Sequence, residues 1–110
     1  MATTYKVLAQ SNPSATTATT LYTVPSSTSA VVSTITICNQ AASAGTYRIA
    51  VRPAGASLAA QHYVAYDIAI AANDTTALTL GITLATTDVV TVYASSASMS
   101  FAAFGSEITA

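Results

Sequence analysis

Apolar residues recur along this chain with a period of two, and most are β-branched. In "AVVSTITICN" (30–39), Val31, Ile35 and Ile37 share one parity and Val32, Thr34, Thr36 and Cys38 the other. Such alternation predicts strands with one buried and one open face. The pattern divides into "YKVLAQ" (5–10), "LYTV" (21–24), 30–39, "TYRIAVR" (46–52), "HYVAYDIAI" (62–70), "TTALTL" (75–80), "DVVTVYA" (88–94) and "SMSFAAFGSEI" (98–108). Pro25 and Pro53 close two of them, because proline cannot donate to a ladder. Alanine is abundant and favours helix, yet no stretch carries a helical stripe with charged flanks. The expected fold is all-β: a single antiparallel β-sandwich, jelly-roll-like, of about eight strands with almost no helix. Residues 21–110 make the sandwich. Residues 1–20 supply an N-terminal strand and loop, or an assembly arm that reaches a neighbour, within what is otherwise one domain.

Parity also sets pairings. If 46–52 and 62–70 are antiparallel neighbours, Ile49 faces Tyr66 and Val51 faces Val64 on the inside. Arg48 then faces Asp67 and Arg52 faces Tyr63 on the outside. Two of the chain's three positive charges thereby find an opposite charge and an aromatic face. Arg48, Arg52, Tyr63 and Asp67 are the candidate interface, since interface cores favour Arg and Tyr. A hairpin turning at Ser96–Ala97 would set Val90 against Ala103, Val92 against Phe101 and Ala94 against Met99, with Phe101 in the core.

Composition adds a constraint. Charged residues are only 6% of the chain and the net charge is −1, against a typical charged content of about 25%. No basic patch exists to neutralise phosphates, so no nucleic-acid partner is expected. A surface of Ser, Thr and Ala suits a protein covered by neighbours in an assembly. No apolar run approaches the roughly 20 residues of a spanning helix, so no membrane partner is expected. "MATTYKVLAQ" lacks the layout of a signal peptide. The chain reads as made in the cytoplasm and assembled from there into a particle.

Candidate chemistry is sparse. Nucleophilic catalysis needs a nucleophile with a base beside it, and the chain holds one Cys and one His. His62 begins a strand on the parity of Val64, Tyr66 and Ile68, and Cys38 ends one as a small hydrophobe. His62, Cys38, Asp67, Asp74, Asp88 and Glu107 show no short metal-ligand spacing. Asn73, Asp74 and Asp88 form the one conceivable calcium set, but "NDTT" and "TTD" are also turn sequences. The six tyrosines, Tyr5, Tyr22, Tyr47, Tyr63, Tyr66 and Tyr93, could line a sugar site. No catalytic residue, metal or cofactor is expected.

The order of "LYTVP" (21–25), "AVVSTITICNQ" (30–40), "YRIAVRPAG" (47–55), "QHYVAYD" (61–67), "AANDT" (71–75), "GITL" (81–84) and "DVVTVYASS" (88–96) resembles that of small structural proteins of tailed bacteriophage virions. The resemblance covers roughly residues 20–108 and rests on strand-and-turn patterns. It implies a non-enzymatic virion β-sandwich. The expected function is capsid decoration (cement): binding the outer face of the major capsid protein shell, with other copies of itself, as a homotrimer, for further partners. A tail, neck or fibre component is the alternative, followed by a carbohydrate-binding adhesin module.

Overall fold

The computed structural model describes residues 2–109. Its strands are β1 (Ala2–Ser11), β2 (Thr19–Thr23), β3 (Thr28–Asn39), β4 (Gly45–Arg52), β5 (Tyr63–Ile70), β6 (Asp74–Leu84), β7 (Val89–Ala94) and β8 (Met99–Thr109). Two single-turn 3-10 helices, Pro53–Gly55 and Ala60–His62, interrupt the β4–β5 connection. No helix among the described residues is long and apolar enough to cross a membrane.

The strands form two four-stranded sheets, ordered β1-β8-β3-β6 (sheet I) and β2-β7-β4-β5 (sheet II). Every pairing is antiparallel. Only β4 and β5 are consecutive strands paired with each other; all other connections cross from one sheet to the other. This is jelly-roll topology, which folds two Greek keys into one sandwich.

Alternation fills the space between the sheets. Sheet I contributes Val32, Ile35, Ile37, Met99, Phe101 and Ala103, and sheet II contributes Tyr47, Ile49, Val90, Val92 and Ala94, all of them buried. Asn39 closes one end. Its side-chain amide donates to the carbonyls of Ser43 (3.0 Å) and Ala71 (3.1 Å), and its Oδ1 accepts from the Ala41 N–H (3.0 Å). One buried polar side chain thereby satisfies loop backbone groups from two connections, as a water-free interior requires.

A bulge in β3 changes the expected faces. The register shifts between Val32 and Thr34 toward both neighbours, leaving Ser33 unpaired. Val32 therefore points inward with Ile35 and Ile37, and Val31 points outward; the single-parity reading of this strand fails at the extra residue. Ser33 Oγ donates to the Phe104 carbonyl (3.0 Å). Opposite the bulge stands Gly105, where a Cβ would overlap the Val31 carbonyl oxygen. Here a glycine is required by close backbone approach.

The expected hairpin between 88–94 and 98–108 does not form. β7 lies in sheet II and β8 in sheet I, joined by a crossing at Ser95–Ser98. Val90, Val92, Ala94, Met99, Phe101 and Ala103 do all face the core, but from opposite sheets. Residue parity records which way a side chain points, and it is blind to which sheet the strand joins.

Candidate interface on the outer sheet faces

The opening register of β4 and β5 is the expected one: Gly45 pairs with Ile70, Thr46 with Ala69 and Tyr47 with Ile68. It then shifts, so that Ile49 pairs with Ala65. Two residues of β5, Tyr66 and Asp67, thus stand opposite Arg48 alone. Asp67 takes the left-handed conformation (φ 51°) that this requires, and Asp adopts it more readily than most residues. Neighbouring strand residues normally point to opposite faces. The bulge turns both Tyr66 and Asp67 toward one arginine.

Arg48 is held on three sides. Its Nε donates to Asp67 Oδ1 (2.6 Å) and its Nη2 to Asp67 Oδ2 (3.3 Å). Its guanidinium carbon lies 4.3 Å from the Tyr66 ring centroid and 4.1 Å from that of Tyr93, its partner on β7. The planar group is both forked onto a carboxylate and stacked between rings, a geometry that lysine cannot reproduce. The hydrogen bond it donates to Asp67 pushes the guanidinium further above its ordinary pKa. Tyr63 meets Tyr66 edge to face, with centroids 4.8 Å apart. Three of the four candidate residues, Arg48, Asp67 and Tyr63, therefore form one cluster, which Tyr66 and Tyr93 complete.

Arg52 is separate. A second register shift, between Ile49 and Ala50, places Ala50, not Arg52, opposite Tyr63, so the expected Arg52–Tyr63 pair is corrected. Arg52 Nε donates to Thr91 Oγ1 (3.1 Å) and its Nη1 to the Ala56 carbonyl (3.0 Å). It pins the start of the β4–β5 connection to sheet II. The Asp88 carboxylate holds the same turn from the other side, accepting from the N–H groups of Ala54 (2.8 Å) and Ala85 (2.9 Å).

The bulge also overturns the inward assignments on β5. Ala65 takes the inward place opposite Ile49, while Val64 and Tyr66 are 51% and 54% exposed. An aspartate inside a strand, where that residue is depleted, was the one local sign of the irregularity.

A second ionic cluster went unrecognised in the sequence. Lys6 Nζ lies 2.7 Å from Glu107 Oε1, and the Tyr22 hydroxyl donates to Glu107 Oε2. The cluster spans β1, β8 and β2 and so joins the two sheets. Lys6, then Tyr22, hold the Glu107 carboxyl below its ordinary pKa. Burial, then Glu107, push the Tyr22 hydroxyl well above its ordinary value. Burial alone raises Tyr47, whose hydroxyl is enclosed without a hydrogen-bond partner.

The remaining candidates are kept apart. Cys38 is half-buried on the outer face of sheet I. His62 is buried in the 3-10 turn before β5, not in a strand, and its Nδ1 accepts the Ala59 N–H (3.0 Å). No nucleophile–base contact joins them. Asp74 opens β6 and Asp88 follows its far end, so the Asn73, Asp74 and Asp88 set does not converge. No group of three acidic, His or Cys side chains among the described residues could hold a metal. The tyrosines also divide: Tyr22 and Tyr47 are buried, Tyr5 is isolated on β1, and Tyr63, Tyr66 and Tyr93 share the sheet II face.

The outer face of sheet I contrasts with that of sheet II. Register defines its rows: Tyr5–Ser106–Val31–Thr83, then Val7–Phe104–Thr34–Thr79, then Gln10–Ala102–Thr36–Ala77. None of these positions is charged. Tyr5 is 83% exposed and Val7 50%. Comparison of the chain with protein-family models, with curated proteins and with solved structures finds no match.

Proposed function

We propose that this chain is a non-enzymatic structural protein of a tailed-bacteriophage virion, a decoration protein that binds the outer face of the major capsid shell. The virion context comes from the motif order described above. The observation that carries the assembly reading is where the charges are. Lys6 is bound to Glu107, Arg48 to Asp67 and Arg52 to Thr91, and Asp88 holds two backbone N–H groups. With these six of its seven charged side chains engaged internally, the chain presents largely neutral Ser, Thr, Ala and aromatic surface, which loses little hydration when covered. The Arg48 platform suits contact with the shell. Its rings and guanidinium are already ordered, so little side-chain freedom is lost on docking.

The test is co-sedimentation of purified protein with capsids that lack it, together with quantitative mass spectrometry of intact virions. Decoration predicts saturable binding and a copy number in proportion to the major capsid protein. A handful of copies per particle would assign the protein to tail, neck or fibre, and absence from virions would reject the reading. A second reading, a carbohydrate-binding module, is favoured by the open groove between Leu58, Ala59, Ala60, Tyr63 and Tyr66. Binding to a glycan array that Tyr66→Ala abolishes would select it.

A further inference from the structure

The two outer faces differ in a way that assigns a partner to one of them. The face of sheet II is uneven: the Pro53–His62 connection lies against it, burying His62, and the Arg48 cluster stands beside it. The face of sheet I is free of charge on all four strands. Its middle row runs Val7–Phe104–Thr34–Thr79, and Tyr5 and Val31 flank it one row away. We propose that this face packs against the same face of a second copy across a twofold axis, sheet on sheet.

Three points select a second copy as the occupant. First, in an isologous contact the residues near the twofold axis meet their own equivalents, so a charge placed there would meet the same charge. A face without charge satisfies that condition automatically. Second, the outward residues are mostly Thr, Ser, Ala and Val, small and β-branched, which lets two sheets approach to about 10 Å. Third, the area suffices. Four strands about 4.8 Å apart and about 30 Å long present roughly 600 Å² per copy, or roughly 1,200 Å² in all, the lower end of the range for specific interfaces. The inference deepens the assembly reading and rests on it for the premise that the neutral surface is covered by neighbours. It replaces the expected homotrimer with a dimer.

The experiment uses the full chain in solution. Light scattering coupled to size exclusion is expected to give a dimer that dissociates on dilution. Val7→Lys and Thr79→Lys, both exposed edge-strand positions, are expected to weaken association at least tenfold. Val64→Lys, exposed on the other sheet, is expected to leave it unchanged. Cys38 lies at one end of the face and serves as a native reporter. Its rate of modification by a thiol reagent should fall as protein concentration rises, and that dependence should vanish in Thr79→Lys. Circular dichroism identifies any variant that fails to fold, in which case the other variant and the Cys38 rate decide. A monomer at all concentrations, a trimer, or a dimer indifferent to both lysines would overturn the proposal. Capsid binding is measured separately, so a monomer that still decorates capsids would reject the dimer and leave the virion reading standing.

Discussion

Arg48 Nε lies 2.6 Å from Asp67 Oδ1 at the point where β5 sets two residues opposite one of β4. The register alone would bring the charges near each other. The bulge adds Tyr66 to the same face, so that the ion pair and the ring contact form together. The contact is a shared one, and its parts should depend on one another. In urea denaturation, the Arg48→Ala, Asp67→Ala double variant is expected to lose less stability than the two single losses combined. The coupling should shrink in high salt, as for other exposed pairs. Arg48→Lys should remain below the parent, because it keeps the charge and loses the stacking. Strict additivity would show that the cluster does not act as a unit.

Two core aromatics should respond in opposite ways. Phe101 is 1% exposed, and its truncation to Ala is expected to cost about 3–5 kcal/mol. Tyr47 is enclosed with its hydroxyl unpaired. An unsatisfied buried polar group carries a desolvation penalty of about 1–3 kcal/mol. Tyr47→Phe should therefore leave the protein as stable as the parent or more so, as measured by chemical denaturation.

Most strands, the sandwich and the inward face of Phe101 were legible in the sequence, because period-two alternation is the direct consequence of burying one face. The Arg48–Asp67 pair was legible for the same reason. What stayed hidden was every feature that breaks the period. Ser33 flips β3 and moves Val31 outward; Asp67 flips β5 and moves Tyr66 outward. A single extra residue reverses the assignments on one side of it, and neither position carries the glycine that commonly marks a bulge. The Lys6–Glu107–Tyr22 cluster was hidden for another reason. Its members come from three strands, and no local pattern relates them.

Gly105 should be among the least replaceable residues. A methyl group there meets the backbone of Val31, which cannot rotate away as a side chain could. Gly105→Ala is expected to cost about 1–3 kcal/mol, the usual range for overpacking, or more. Thermal melting with far-ultraviolet circular dichroism checks this. A melting temperature equal to the parent's would mean that β3 and β8 are farther apart at the bulge.

The Lys6–Glu107–Tyr22 cluster predicts a dependence on pH at both ends. An unfolded Glu titrates near about 4.3, and the folded Glu107 titrates lower. Its contribution is therefore complete above that value and is lost as pH falls through the folded pKa. Tyr22 behaves inversely. Its hydroxyl is raised above 10.0, so its contribution is complete below that value and fades as pH rises beyond it. Glu107→Gln should flatten the acid limb of a stability–pH curve, and Tyr22→Phe should flatten the alkaline limb. An acid limb unchanged in Glu107→Gln would assign acid sensitivity to other carboxylates.

The strand order of sheet I carries a consequence for how the chain reaches its fold. β8 lies between β1 and β3, so of the four strands of this sheet the one that comes latest in the chain fills the middle, not an edge. On the ribosome, β1 and β3 must wait with open backbone edges until Thr109 has been made, since neither pairs with the other. Such distant pairings are slow to form, and unpaired edges invite association with other chains. The waiting interval, more than the finished sandwich, is then where this chain is vulnerable to aggregation, and its yield on expression should depend on how quickly β8 arrives.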